Sequence, residues 1–301
     1  MSFKPPHYSD ALRAIGNTGG LPVALQRAFD PEGDFSLIPA PKPGDWLAEH
    51  SEVGQSYDDF AFLKAAKPSA LRDTIYLQPL GQFWGYQAVS LDALKECGAD
   101  YFAMNLKVLP PLPLSEAGFT TRMNPVSGNL QILTHDILAH LMRHRPADAF
   151  CVLAITMEDL YPDPSWNFVF GQASMIKRVG VFSFARYDPA FYGEIRGEGC
   201  QVTLLRRCCK VLVHETGHLF SLPHCIFFRC VMNGSNHLVE SDARPLSLCP
   251  VCLRKLQLSI GFDVAHRYRD LLRFYQRVGF EAEAMLTSRR LKKIAGENGQ
   301  I

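Results

Sequence analysis

From residue 74 onward the apolar positions alternate between two rhythms. Thr74-Ile75-Tyr76-Leu77-Gln78-Pro79 is a short apolar run that reads as a strand. Val89 to Cys97 follows, with apolar residues at 89, 91, 94 and 97, a helical spacing. Tyr101 to Val108 (YFAMNLKV) reads as a second strand, stopped by Pro110, Pro111 and Pro113. Asn129 to Arg143 sets Leu130, Leu133, Ile137, Leu138 and Leu141 on one stripe of an amphipathic helix. Phe150 to Met157 (FCVLAITM) is continuously apolar, as in a strand covered on both faces. Two more strands are predicted at 167–173 (NFVFGQA) and 179–185 (VGVFSFA), with Gly180 marking a bulge or a close backbone approach. Strand, helix, strand, helix, strand implies parallel pairing with right-handed crossovers. The short link between the last two strands makes at least one pair antiparallel.

Residues 1 to 72 have weak periodicity and frequent Pro and Gly. They read as short helices near 9–16, 21–28 and 57–66 in an extension draped on the core. The stretch 188–200 (DPAFYGEIRGEGC) holds three glycines and reads as a mobile loop. Gln201 to Ser221 then forms a helix on which Val202, Leu205, Cys208, Leu212 and Leu219 can face the sheet, leaving His214 and His218 on another stripe. Beyond Cys252, Val264, Tyr268, Leu271, Leu272 and Tyr275 recur at helical spacing, and residues from about 290 read as a frayed tail.

Composition narrows the classes. A chain of 301 residues with 47% hydrophobic and 20% charged residues can bury a core as one large domain or two small ones. A net charge of +1 gives no footprint for a polyanion, so no nucleic acid partner is expected. The N-terminus lacks the apolar core of a signal peptide, and the apolar runs fall short of a membrane span. The expectation is an intracellular protein, cytoplasmic or also nuclear, not secreted and without a membrane partner. Nine cysteines are then reduced thiols or metal ligands. Cys97 and Cys151 read as core residues, and Cys208 and Cys209 as a helix pair with one facing in and one out.

The chemistry gathers between 214 and 252. His214 and His218 are four apart, so on a helix their imidazoles stack one turn apart and can share a Zn²⁺. Glu215 is placed beside them to act on a metal-bound water. Pro223 disfavours helix at Leu222, so the chain turns there and can return His224 to the same metal. Three protein ligands and an open position make a catalytic zinc site. Cys225, Cys230, Cys249 and Cys252 form a C-x4-C and C-x2-C set, the spacing of a closed structural zinc. Because Cys225 follows His224 directly, the second metal would steady the first. His135, His140 and His144 read as surface residues, and His237 as a loop histidine or a donor to a substrate oxyanion.

HETGHLFSLPHC, RCVMNGSNH and RPLSLCPVCLRKLQ, with ITMEDLYPDPSWNFVFGQAS and VGVFSFARY upstream, resemble the archaemetzincins, zinc metallopeptidases of the metzincin clan, in their vertebrate type. The resemblance covers roughly residues 73 to 270. It implies an α+β fold: a metzincin-like mixed β-sheet with backing helices and a zinc-binding active-site helix, plus a C-terminal subdomain that binds zinc through four cysteines. It implies two Zn²⁺ per chain, a catalytic one on His214, His218 and His224 and a structural one on Cys225, Cys230, Cys249 and Cys252. Glu215 becomes the general base and Met232 the Met-turn methionine. The chain then divides into an N-terminal extension (1–72), an upper catalytic subdomain (73–224), a lower subdomain (225–285) and a tail (286–301). The implied activity is hydrolysis of peptide bonds in a peptide or protein substrate, aminopeptidase-like. The rival reading is a zinc-stabilised peptide-binding protein with weak or no turnover. One position departs from the family pattern: Ser221 stands where a helix-ending glycine is usual.

Overall fold

The computed structural model describes residues 3–63, 65, 67–83 and 89–296. The chain forms two compact units, Pro68–Leu219 and Met1–Lys67 with Phe220–Ile301. In the second of these, the N-terminal segment carries α1 (Tyr8–Ile15), α2 (Val23–Phe29), α3 (Trp46–Glu49) and α4 (Tyr57–Phe62). Part of the helix expected at 57–66 falls on residues 64 and 66, outside the described residues.

The sheet unit runs β1 (Thr74–Leu80), α5 (Leu91–Phe102), β2 (Asn105–Val108), α6 (Leu114–Ala117), β3 (Thr121–Met123), β4 (Leu130–Leu133), α7 (Thr134–Arg143), β5 (Ala149–Thr156), β6 (Asp159–Tyr161), β7 (Gly171–Ser174), β8 (Val179–Ser183) and α8 (Cys200–Leu219). Its larger sheet has the order β2-β1-β5-β8-β7. β1, β2, β5 and β8 are parallel, and β7 pairs antiparallel with β8 at the edge. The architecture is thus α+β with a mixed sheet. β1 and β5 are buried at every residue, which explains why they read as continuous apolar runs rather than alternating ones. Pro79 is tolerated inside β1 because its missing N–H points past Val108, where β2 ends; its carbonyl on that side accepts from Leu112 at 2.9 Å. One face of the sheet, with Tyr76, Val152, Ala154 and Val181, packs on Ile137, Leu138 and Leu141 of α7.

Several boundaries differ from the sequence reading. Tyr101 and Phe102 end α5 rather than starting a strand. Ser90 caps that helix at Ala93 N–H, buried Leu94, Cys97, Gly98, Tyr101 and Phe102 hold the helical period, and Ala103 stops it at φ 48°. Gly98 lets β2 come close: a Cβ there would lie 2.4 Å from the Leu106 side chain, which would have to shift. Leu130–Leu133 is strand β4 of a second sheet, order β3-β4-β6, and α7 begins only at Thr134. The cause is tertiary: Gln131 is fully buried, and its amide donates to Asp159 at 2.7 Å and to the Asn167 carbonyl at 2.9 Å. The same carbonyl accepts from Asn124 at 3.0 Å, Val169 N–H donates to the Leu160 carbonyl at 3.0 Å, and β7 starts only at Gly171. The stretch 188–200 is not a bare loop. Asp188, 4% exposed, caps a 3-10 turn at Ala190 N–H and takes both ends of the Arg196 guanidinium.

The helical unit continues with α9 (Leu238–Ala243), α10 (Pro250–Ile260), α11 (Val264–Val278) and α12 (Glu281–Ala295). Residues 290–295 belong to α12 and are no frayed tail; residues 297–301 lie outside the described residues. Arg290, 1% exposed, donates to the carbonyls of Arg27 (3.1 Å), Ala28 (2.7 Å) and Asp30 (3.0 Å), the C-terminal end of α2. A cation there satisfies carbonyls that the helix leaves unpaired. Arg254 does the same for α1, donating to the carbonyls of Ile15 and Asn17 while stacking 3.7 Å over the Tyr57 ring. Buried Lys255 donates to the Gln55 carbonyl at 2.8 Å. Three cations on α10 and α12 thus bind the N-terminal segment into this unit. Among the described residues, no helix is long and apolar enough to cross a membrane.

Candidate metal centres

The boundary between the units falls inside the histidine motif, after Leu219. His214, Glu215 and His218 belong to the sheet unit; His224 and the four cysteines belong to the helical unit. Among the described residues, three groups of side chains have the composition of a cation site: His214, His218 and His224; Cys225, Cys230, Cys249 and Cys252; and Asp45, His237 and Glu240.

α8 positions the first two histidines. Leu204, Cys208, Leu212 and Leu219 are buried along it, whereas Val202 is exposed and does not face the sheet as expected. Cys208 and Cys209 are both fully buried, correcting the expected split, and burial pushes the Cys208 thiol well above its ordinary value. The imidazoles of His214 and His218 meet edge to face with their Nε2 atoms 3.1 Å apart. Two lone-pair nitrogens aimed at one point from successive turns suit a shared cation. Between them, Thr216 turns its hydroxyl back onto the Leu212 carbonyl at 2.6 Å. Glu215 lies on the β7 side of α8. A Cβ on Gly171 would come within 3.1 Å of its carboxyl carbon and 3.0 Å of the Val181 carbonyl. A side chain at 171 would therefore crowd the carboxylate, a dependence that single-sequence spacing does not disclose. Phe182, whose Cβ is 3.0 Å from that same point, alternates with Val181, so α8 covers the sheet face opposite α7.

After α8 the chain turns through Ser221 at φ 66°, the left-handed conformation expected of the usual glycine. In the helical unit the His224 Nδ1 lies 2.8 Å from Glu52 Oε1. The four cysteine sulfurs lie within 4.8 Å of one another, all buried, with Cys225 and Cys249 at 3.6 Å. None is in a disulfide. A tetrahedral zinc with bonds of about 2.3 Å spaces its sulfurs by about 3.8 Å, so the cluster has the size of that ion. The surroundings suit thiolates as well. The backbone N–H groups of Cys249 and Met232 reach Cys230 Sγ at 3.2 and 3.5 Å, and Cys249 and Cys252 stand at the N-terminal end of α10. Hydrogen bonds from the neighbouring thiols hold Cys225 well below its ordinary value, and burial pushes Cys249 well above.

Met232 is fully buried and its carbonyl accepts from Cys225 N–H at 2.8 Å, so the methionine is tied to the residue that follows His224. Asn233 locks this loop: its amide donates to the carbonyls of Cys225 (2.7 Å) and Phe228 (3.0 Å), and its oxygen accepts from Cys230 N–H (2.8 Å). The sequence reading missed Asn233; the Asn-Gly pair after Met232 is a turn signal that could have found it. His237 is the N-cap of α9, accepting from Glu240 N–H and lying 3.1 Å from Asp45, a local structural role. Glu240 and Asp45 are likewise used by the Trp46, Asn236 and Lys42 backbone N–H groups, so the third cluster reads as a capping network. His135 and His144 are exposed, and His140 stacks on His144, apart from any of the three groups.

A His-Glu-x-x-His helix laid on the face of a mixed sheet, in a chain that also carries a buried four-sulfur cluster, is the arrangement of a zinc metallopeptidase. Comparison with known proteins makes the class particular. The model of the family described as "Peptidase family M54" matches residues 126–258. Archaemetzincin-2 of Macaca fascicularis is 42% identical over 279 residues, covering 83% of this chain and 77% of that protein. Archaemetzincin-1 of Homo sapiens is 33% identical over 318 residues, 92% of this chain and 64% of that protein. A crystal structure of archaemetzincin from Methanopyrus kandleri aligns with 64% of this chain and 97% of that one, at 31% identity and a TM-score of 0.48. On the identity and coverage of its relatives, the chain belongs to the archaemetzincin family.

Proposed function

We propose that this chain hydrolyses peptide bonds with a zinc held by His214, His218 and His224, that Glu215 moves the protons, and that the action is aminopeptidase-like. The observation that carries the reading is the pair of Nε2 atoms 3.1 Å apart on α8 with a carboxylate between them in sequence, seated over Gly171. A zinc ion supplies a Lewis acid that acidifies water and polarises the scissile carbonyl. Glu215 takes the proton of the attacking water and delivers it to the leaving amine. β7, the last strand of the sheet and beside α8, has an outer edge whose backbone groups can pair with an extended peptide. Met232 serves as the Met-turn residue, and the four cysteines hold a second, structural zinc. The nine cysteines, none in a disulfide, favour a reducing intracellular setting.

Glu215→Gln tests the mechanism. Zinc content stays at the wild-type value, since Glu215 is not a ligand, while cleavage falls by orders of magnitude. Undiminished cleavage would sink the mechanism, and a wild type that binds peptides without cutting them would leave the peptide-binding reading standing. Peptides with free and blocked N-termini separate aminopeptidase from endopeptidase action.

A further inference from the structure

We infer that Glu52 is a positioning residue for His224: its carboxylate fixes the tautomer and plane of that imidazole so that Nε2 is the nitrogen presented to the metal. The inference rests on the reading of His224 as a zinc ligand. Glu52 Oε1 lies 2.8 Å from His224 Nδ1 and accepts from Trp46 Nε1–H at 2.9 Å. An ionised carboxylate only accepts, so the ring nitrogen facing it carries the hydrogen and the other keeps the lone pair that a metal takes. Such an outer partner raises the basicity of the ligand and holds its ring against rotation.

The carboxylate is itself held. Trp46 stands edge-on to the His224 ring at 4.8 Å between centroids and stacks on His50 at 3.9 Å. Its backbone N–H donates to both oxygens of Glu240, at 2.9 and 3.1 Å. Gly234, two residues past Met232, makes the seat: a Cβ there would lie 2.4 Å from the indole. The Glu52 and His224 side chains are 22% and 16% exposed, so water competes little for their bond. The two groups that meet His224, Trp46 and Glu52, come from residues 46–52, which carry no motif of their own. The third histidine is thus held by one carboxylate and one indole, itself stacked on His50, which is more than fastening an N-terminal strap requires.

The test compares wild type, Glu52→Ala, Glu52→Gln and His224→Ala for zinc affinity by chelator competition, with nitrogen NMR of the labelled histidines in the zinc-loaded wild type. Glu52→Ala weakens the zinc that His224→Ala loses by about 10- to 100-fold. Glu52→Gln, which keeps an acceptor oxygen, recovers much of that loss. The spectrum shows His224 protonated at Nδ1 and liganded through Nε2. Wild-type affinity in Glu52→Ala, or ligation through Nδ1, overturns the inference while the zinc reading survives. A His224→Ala protein that keeps its full zinc overturns both. Should Glu52→Ala fail to fold, the Glu52→Gln affinity and the wild-type spectrum decide.

Discussion

Ser221 holds φ 66° with a side chain that disfavours it. The left-handed region costs a residue with a Cβ about 1–2 kcal/mol, and glycine gives back part of that in unfolded-chain entropy. Ser221→Gly should therefore stabilise the protein by about 1 kcal/mol or less, read as a small rise in melting temperature. A fall would mean that the serine side chain contributes more than its backbone strain costs. Glu158 offers a second single-residue test. Burial pushes its carboxyl above the ordinary range. A carboxyl with a raised folded pKa destabilises the fold once pH exceeds its unfolded value, because the unfolded chain ionises more readily. Glu158→Gln should thus raise the melting temperature at pH 7, and the gain should vanish as pH falls below the unfolded pKa. A gain that persists at acid pH would assign it to packing instead. Ser221 was legible as a departure from a pattern, whereas Glu158 was not, since burial is invisible in a single sequence.

Among the elements, those set by local periodicity were read closely. β1, β5 and α8 begin and end within about two residues of expectation. Two of the misreadings share a cause, which is a side chain satisfied by a distant partner. Gln131 turns the start of an apparent helix into a strand because Asp159 and Asn167 take its amide. Arg290 turns an apparent basic tail into a docked helix because the end of α2 offers three carbonyls. Arg290→Met should lower stability by about 2–3 kcal/mol, the cost of leaving buried carbonyls without their charged donor. Denaturant unfolding measures it. A variant within about 0.5 kcal/mol of wild type would show that α12 docks by its apolar contacts alone.

For the molecule as a whole, the two ligand sets predict two zinc ions per chain, distinguishable by how they are lost. A chelator should strip the histidine-bound zinc first, because a catalytic site keeps an open position, and peptide cleavage should go with it. Cys249→Ser should lose the other zinc and lower the melting temperature, since structural zinc binding is coupled to folding. One zinc in a folded wild-type chain, or an unchanged melting temperature in Cys249→Ser, would overturn the two-centre reading. By itself the sequence determined the types and spacing of the proposed ligands, the helix that brings His214 beside His218, the C-x4-C and C-x2-C pairs, and the mixed sheet. These depend on chain neighbours a few residues apart, where backbone geometry leaves little choice. Only the tertiary structure decided that residues 3–63 belong with the helices after Leu219, that Gly171 makes room for Glu215, and that Glu52 and Trp46 grip His224. Those contacts join residues 44 to 263 positions apart, and no local pattern encodes which distant group will meet an unpaired carbonyl or an imidazole N–H.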